Sequence, residues 1–376
     1  MRIRLLMTRL ARAVQRRLPA RERGALGVMV AVLIAGGVLV GMSALAVDVG
    51  QLYSERAQLQ NGADSAALAV ATTCSVGSCT PAISTQYANA NASDGTSAVD
   101  LVCGTGMGNC PPSSGKLIDC PSSPAGGTNF VDVHTSTLTS GGSTLVPPVF
   151  ARTLLGNGNY TGTTVHACAQ AEWGASSAAV TASFTLAVCD WAQATNGGTS
   201  YTPPGSTPGP SSDVVMKLDA SPGTGCSSDP GSLDVIGTFG WTDDQSGNCT
   251  LVVQDNSSYT GSNGSVPPAC PAALASAQAH RTVLFVPVYT TCTHHGSGTI
   301  TYSLKGFAAF VVTGYSLPGA YAPDWLSSGN NCAKTQQCVN GYFTQGIIAD
   351  KAVPSSGCHL SQSTEDLGAT WIKLTG

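Results

Sequence analysis

Residues 24–47 read GALGVMVAVLIAGGVLVGMSALAV, an unbroken stretch without a charged side chain, and Arg23 stands directly before it. As an α-helix this stretch is about 36 Å long, at about 1.5 Å per residue. The hydrocarbon core of a bilayer is roughly 30 Å thick, so the run crosses it with some tilt. A helix satisfies its own backbone polar groups, which lipid demands. The stretch therefore predicts a transmembrane helix near the N-terminus.

Its flank supplies the direction. Eight of the 17 basic residues precede it: Arg2, Arg4, Arg9, Arg12, Arg16, Arg17, Arg21 and Arg23, opposed only by Glu22. The positive-inside rule then keeps residues 1–23 in the cytoplasm and sends everything after Asp48 outside. A cleavable signal peptide is the rival reading, because Ala44-Leu45-Ala46 resembles an A-x-A cleavage site. The apolar run is longer than the roughly 7–15 residues of a signal h-region, which favours a retained anchor. Both readings export the body. All 14 cysteines lie after residue 73, as an oxidising compartment permits. Cys74 and Cys79, Cys103 and Cys110, and Cys332 and Cys338 are near enough in sequence to close small loops, although spacing alone does not fix pairing.

Working outward, the helix is expected to continue past the membrane to about residue 72. Leu45, Val49, Leu52, Arg56, Leu59, Ala63, Ala66 and Val70 recur at spacings of four and three, a coiled-coil-like seam interrupted by the arginine. The same seam also suits a helix packed on its own domain. Within the span, Gly37 and Gly41 form a GxxxG pair that lets a second helix approach closely. Gly37, Gly41, Leu52, Leu59, Asn61 and Asp64 are the helix-packing candidates.

The rest of the chain reads as exported and β-rich. Residues 73–128 are rich in Cys, Gly, Pro and Ser and predict loops held by disulfides, with too little apolar surface to order themselves. Residues 129–175 predict a strand–helix–strand unit: a strand at Phe130, Val131 and Val133, a short helix over Val149 to Leu155, and a strand from Thr163 to Trp173. From 176 to 376, strands are predicted near 178–191 and at 214–218, 233–239, 249–254, 283–290, 299–304 and 308–315. The expected fold class is α+β: one long N-terminal transmembrane helix extending outward, then a β-rich, loop-rich, disulfide-bearing ectodomain.

Charge and motifs bound the function. Beyond residue 47, nine basic residues face twenty acidic ones, so the body has no basic surface to replace phosphate counterions and nucleic acid is excluded as a partner. There is no HExxH, no Walker A and no dinucleotide fingerprint between a strand and a helix. Gly314-Tyr315-Ser316-Leu317-Pro318-Gly319 misses the nucleophile-elbow spacing by one residue. Asp219-Ala220-Ser221-Pro222-Gly223 lacks the last serine of a von Willebrand A-type metal loop, and the cysteines beside His294, His295 and His359 are expected in disulfides. No cofactor, no metal and no catalytic set is expected. Acidic pairs such as Asp243-Asp244 are what an exported, membrane-tethered hydrolase or carbohydrate-binding module could recruit.

The segment RERGALGVMVAVLIAGGVLVGMSALAVDVGQLYSERAQLQNGADSAALAVA resembles the N-terminal segment of TadE/TadG-like Flp pilus-assembly proteins. The resemblance rests on the Ala46–Gly50 step and on Leu52, Tyr53, Arg56, Leu59, Gln60, Asn61, Ala63, Asp64, Ala66, Ala67, Leu68 and Ala69. Val149–Arg152 and Ala169–Gly174 resemble the next part of TadG-like chains, and later segments resemble actinobacterial TadG-related proteins. The resemblance implies a non-enzymatic, single-pass component of tight-adherence pilus assembly, whose partners are the membrane and other single-span subunits or pilins. Processed pilins of that system carry glutamate at the fifth position after the cleavage glycine. Counting from Gly24 that position is Met29, so no such processing is expected.

Overall fold

An apolar run followed by mixed polar and small residues, with no proline from residue 20 to residue 80, permits one uninterrupted helix. The computed structural model contains it: α1 is continuous over Arg23–Ser75. Residues 23–116, 119–124, 128–148, 150, 161–217, 239–255, 257–262, 265–295, 299–327, 337–348 and 364–375 are described by the structure. The chain divides into two units: Met1–Gly62, Ala88–Asp100 and Thr135–Ala167 in the first, Ala63–Tyr87, Leu101–His134 and Cys168–Gly376 in the second.

In the first unit, the early part of α1 presents bare apolar side chains. Val28, Met29, Val32, Ile34, Met42 and Leu45 are all exposed. Among the described residues, α1 is the one helix long and apolar enough to cross a membrane. Past Asp48 the helix begins to engage its own chain. The Asp48 carboxylate accepts the Phe150 backbone N–H at 3.1 and 3.2 Å, and the Gln58 amide oxygen accepts that of Ser93 at 2.7 Å. The Thr135 hydroxyl donates to the Leu59 carbonyl at 3.1 Å.

In the second unit the helix continues as a buried small-residue face: Ala63, Ala66, Ala67, Val70 and Ala71 are fully covered. The elements that follow α1 in the chain are α2 (Ile83–Ala90), β1 (Ala98–Gly104), β2 (Asn129–Ser136), β3 (His166–Ala175), β4 (Ala178–Ala182), β5 (Phe184–Ala187), α3 (Val188–Ala194), β6 (Val214–Lys217), β7 (Phe239–Thr242), β8 (Thr250–Gln254), β9 (Ser258–Ser262), α4 (Cys270–His280), β10 (Val283–His295), β11 (Thr299–Leu317), β12 (Ala320–Ala322), β13 (Cys338–Thr344), β14 (Gly346–Ile348), β15 (Glu365–Asp366) and β16 (Ala369–Leu374).

One sheet has the order β1-β2-β3-β16-β14, and β4 pairs with β8 in a separate ribbon. In the largest sheet the pairings β10–β5, β5–β7, β7–β9, β9–β11 and β11–β10 close a ring. Inside it Tyr302 stacks on Tyr259 with centroids 5.4 Å apart and tilts against Tyr289 at 5.0 Å. The Thr185 hydroxyl bonds the Tyr259 hydroxyl at 2.6 Å and donates to the Pro287 carbonyl at 2.7 Å, so the buried oxygens are satisfied. Phe184, Leu186, Trp241, Val286, Val288, Ala308, Phe310, Val312 and Phe343 form the main apolar core.

The α+β reading holds, with differences in detail. Residues 73–128 contain α2 and β1 rather than loops alone. The break expected between 304 and 308 is absent, because Lys305, Gly306 and Phe307 run through β11. The 178–191 stretch ends in helix α3, and α4 lies in a region read as strands and loops. The helix expected over 149–155 and most of the 233–239 strand lie outside the described residues.

Candidate functional site

Of the helix-packing candidates, Gly41 has open space where a side chain would stand. The backbone of Gly37 is helical, and the surroundings of that residue lie outside the description. Leu52 and Asp64 are half-buried and Asn61 is exposed. Leu59 is 3% exposed, its side chain covered by its own chain. The helical seam is thus split, bare at Leu45 and Val49 and covered from Leu59 onward.

The candidate disulfide pairs Cys74–Cys79 and Cys103–Cys110 are bonded in the structure. Cys338 is bonded too, while Cys332 lies outside the described residues. Two longer bridges, Cys120–Cys168 and Cys249–Cys270, span 48 and 21 residues and had no signal in local spacing. Two groups bring metal-ligand atoms within 4.8 Å of one another, Cys120, His134 and Cys168, and Cys103, Cys110 and Asp132. In each, two of the three residues are cysteines bonded to each other, which removes the thiolates a metal would need.

The acidic pair is structural. The Asp244 carboxylate accepts the backbone N–H groups of Ser246, Asn248, Cys249 and Thr250, and Asp243 accepts the Thr260 hydroxyl. Ser316 is a buried residue of β11 opposite Cys338, so it presents no exposed nucleophile.

The second unit also holds a pocket of about 340 Å³ lined by Cys74, Ser75, Gly77, Asn129, Trp173, Gly198, Tyr201, Gln345, Asp366 and Gly368. Burial, then the charge of Asp366, pushes the Tyr201 phenol up, so it stays protonated. Gly368 has φ +104°, and a Cβ there would meet the Tyr201 ring at 2.9 Å. Only glycine allows both that backbone and that contact. The Asp366 carboxylate is oriented by the Gly368 N–H at 3.0 Å and the Thr370 hydroxyl at 2.7 Å.

Residues 26–73 match a family model described as "Putative Flp pilus-assembly TadE/G-like". The match lies wholly within α1. No curated protein and no solved structure matches the chain. The TadE/G-like segment contains the apolar span, Asp48 and the small-residue face that Ala63–Ala71 buries. It stops one residue short of Cys74, so the disulfide and the pocket wall lie beyond the matched stretch. No motif flagged the pocket: its residues run from 74 to 368 and only folding collects them.

Proposed function

We propose that this protein is a membrane-anchored accessory component of Flp pilus assembly, with its N-terminus in the cytoplasm and its β-rich body outside. The observation that carries the reading is the TadE/G-like match over an uncharged helix whose apolar side chains are bare. Bare Val, Met, Ile and Leu side chains on a single helix require lipid or another apolar helix. The disulfides on the far side of the span fit an oxidising compartment. It acts by packing α1 beside other single-span subunits or pilins and by docking through its body, without catalysis.

Gly41, with nothing where a Cβ would sit, leaves room for a neighbouring backbone. Replacing Gly37 and Gly41 with Leu is expected to reduce co-purification of other single-span pilus-assembly subunits from membranes, while membrane insertion of the chain is unchanged. Undiminished co-purification would overturn the helix-packing role.

A further inference from the structure

The pocket at the end of α1 has a lining that selects a ligand class. The lining includes two aromatic residues, Tyr201 and the 6% exposed Trp173, and two primary amides, Asn129 and Gln345. Neither amide has a hydrogen-bond partner among the described residues, so each has two donors and an acceptor to offer. Among the described residues, Asp366 is the only charged side chain in the lining. With no Lys or Arg beside it among them, a phosphate, sulfate or uronate would meet uncompensated repulsion.

A ligand that suits this set carries an apolar face for the rings and several hydroxyls for the amides, the carboxylate and the phenol. Such a ligand is a sugar. Its C–H face covers aromatic carbon while its edge hydroxyls replace the water that the amides would otherwise hold. The volume lies near the lower end of the roughly 300–1,000 Å³ typical of small-molecule sites, which suits a short saccharide. Two walls are fixed in advance. The Cys74–Cys79 bridge holds the turn after α1, and Gly198 brings its backbone to the Trp191 ring, 3.1 Å from where a Cβ would stand. Pre-formed walls reduce the ordering cost of binding.

We infer that this pocket is a binding site for a neutral saccharide, through Trp173, Tyr201, Asn129, Gln345 and Asp366. The inference stands apart from the membrane role, since every lining residue lies beyond the matched segment.

The test uses the full chain in lipid nanodiscs. Ligand-observed saturation-transfer NMR is run with N,N′-diacetylchitobiose, maltose, mannobiose and arabinobiose, alongside co-sedimentation with insoluble cell-wall glycan. Saturable binding of a disaccharide is expected and points to free sugars, whereas retention on the glycan alone points to a wall polymer; either supports the site. Combining Asn129→Ala with Gln345→Ala should weaken binding about tenfold or more, the effect of losing two or three neutral hydrogen bonds. His280→Ala, whose ring meets the Ser276 carbonyl of its own helix α4 and which is no lining residue, should bind as the parent does, and matching thermal unfolding of all variants shows that they fold. Absence of binding to all the disaccharides and to the glycan overturns the inference. So does binding that survives the double substitution in a folded protein.

Discussion

Asp48 is the first charge after the apolar run, and its position alone reads as the edge of the membrane. The structure adds a second role, because both carboxylate oxygens lie within hydrogen-bond distance of the Phe150 N–H. A charged acceptor on a backbone donor is stronger than a neutral one. Asp48→Ala should therefore destabilise the folded chain by about 1–3 kcal/mol, and Asp48→Asn, which keeps an acceptor, by less. Thermal unfolding of the detergent-solubilised chain checks this; an unchanged midpoint for the alanine variant would show the contact to be idle. The carboxylate was legible in the sequence as a boundary marker. Its partner was not, because nothing in local patterning links two residues 102 positions apart.

At the scale of elements, the carboxyls of Asp213 and Asp324 meet where β6 begins and β12 has just ended. The Thr313 and Ser327 hydroxyls donate to Asp213 at 2.8 and 3.2 Å, and the Leu326 N–H donates to Asp324 at 2.8 Å. Burial, then the hydrogen bond and charge of Asp324, push Asp213 up to about 7. Burial also raises Asp324, but hydrogen bonds from Asp213, Ser327 and two backbone N–H groups outweigh it and bring it to about 2. The pair thus shares one proton, held by Asp213. An unfolded aspartate titrates near about 4, so from there to about 7 the folded chain holds a proton that the unfolded chain lacks. Stability therefore falls as pH rises through that window and levels off above it, while below about 4 the lowered Asp324 removes stability again as pH falls. Asp213→Asn should remove about 2 kcal/mol of this decline, a figure reduced from the full shift because the pair is partly solvated. Half-buried Asp190, also raised to about 7 by burial, contributes a decline of the same sign, so the double variant with Asp190→Asn should be flatter still. Unfolding midpoints measured from pH 4 to pH 8 decide it, and parallel curves for parent and variants would rule it out.

Elements were readable where side chains alternate or exclude charge. The 214–218, 249–254 and 283–290 runs are strands within a residue or so of their expected starts. Helix α4 was missed because its run AALASAQA is mostly alanine, which marks no apolar face. The continuous β11 was missed because Lys305 and Gly306 look like a turn. Instead Gly306 admits the backbone of β15, with the Glu365 carbonyl 2.2 Å from where a Cβ would stand.

For the molecule as a whole, the proposed topology puts the arginine-rich flank and the disulfides on opposite sides of a membrane. Protease added to sealed spheroplasts should remove a C-terminal epitope tag and spare an N-terminal one. Loss of the N-terminal tag with survival of the C-terminal one would reverse the topology. The apolar span was legible from residues 24–47 alone, since hydropathy acts over a local stretch of chain. The pocket was not, since Trp173, Tyr201, Gln345 and Asp366 become neighbours only through sheet pairing.

The ring made by β10, β5, β7, β9 and β11 carries a consequence for how copies of this protein could assemble. Each of its strands already has a partner on either side. Over the residues paired on both sides, such as Thr299–Ser303 of β11 between β9 and β10, an incoming segment from a neighbouring subunit finds no vacant ladder on which to add itself. Lending a strand from one copy to the next is therefore closed to those residues, and copies that meet there must recognise each other through side chains.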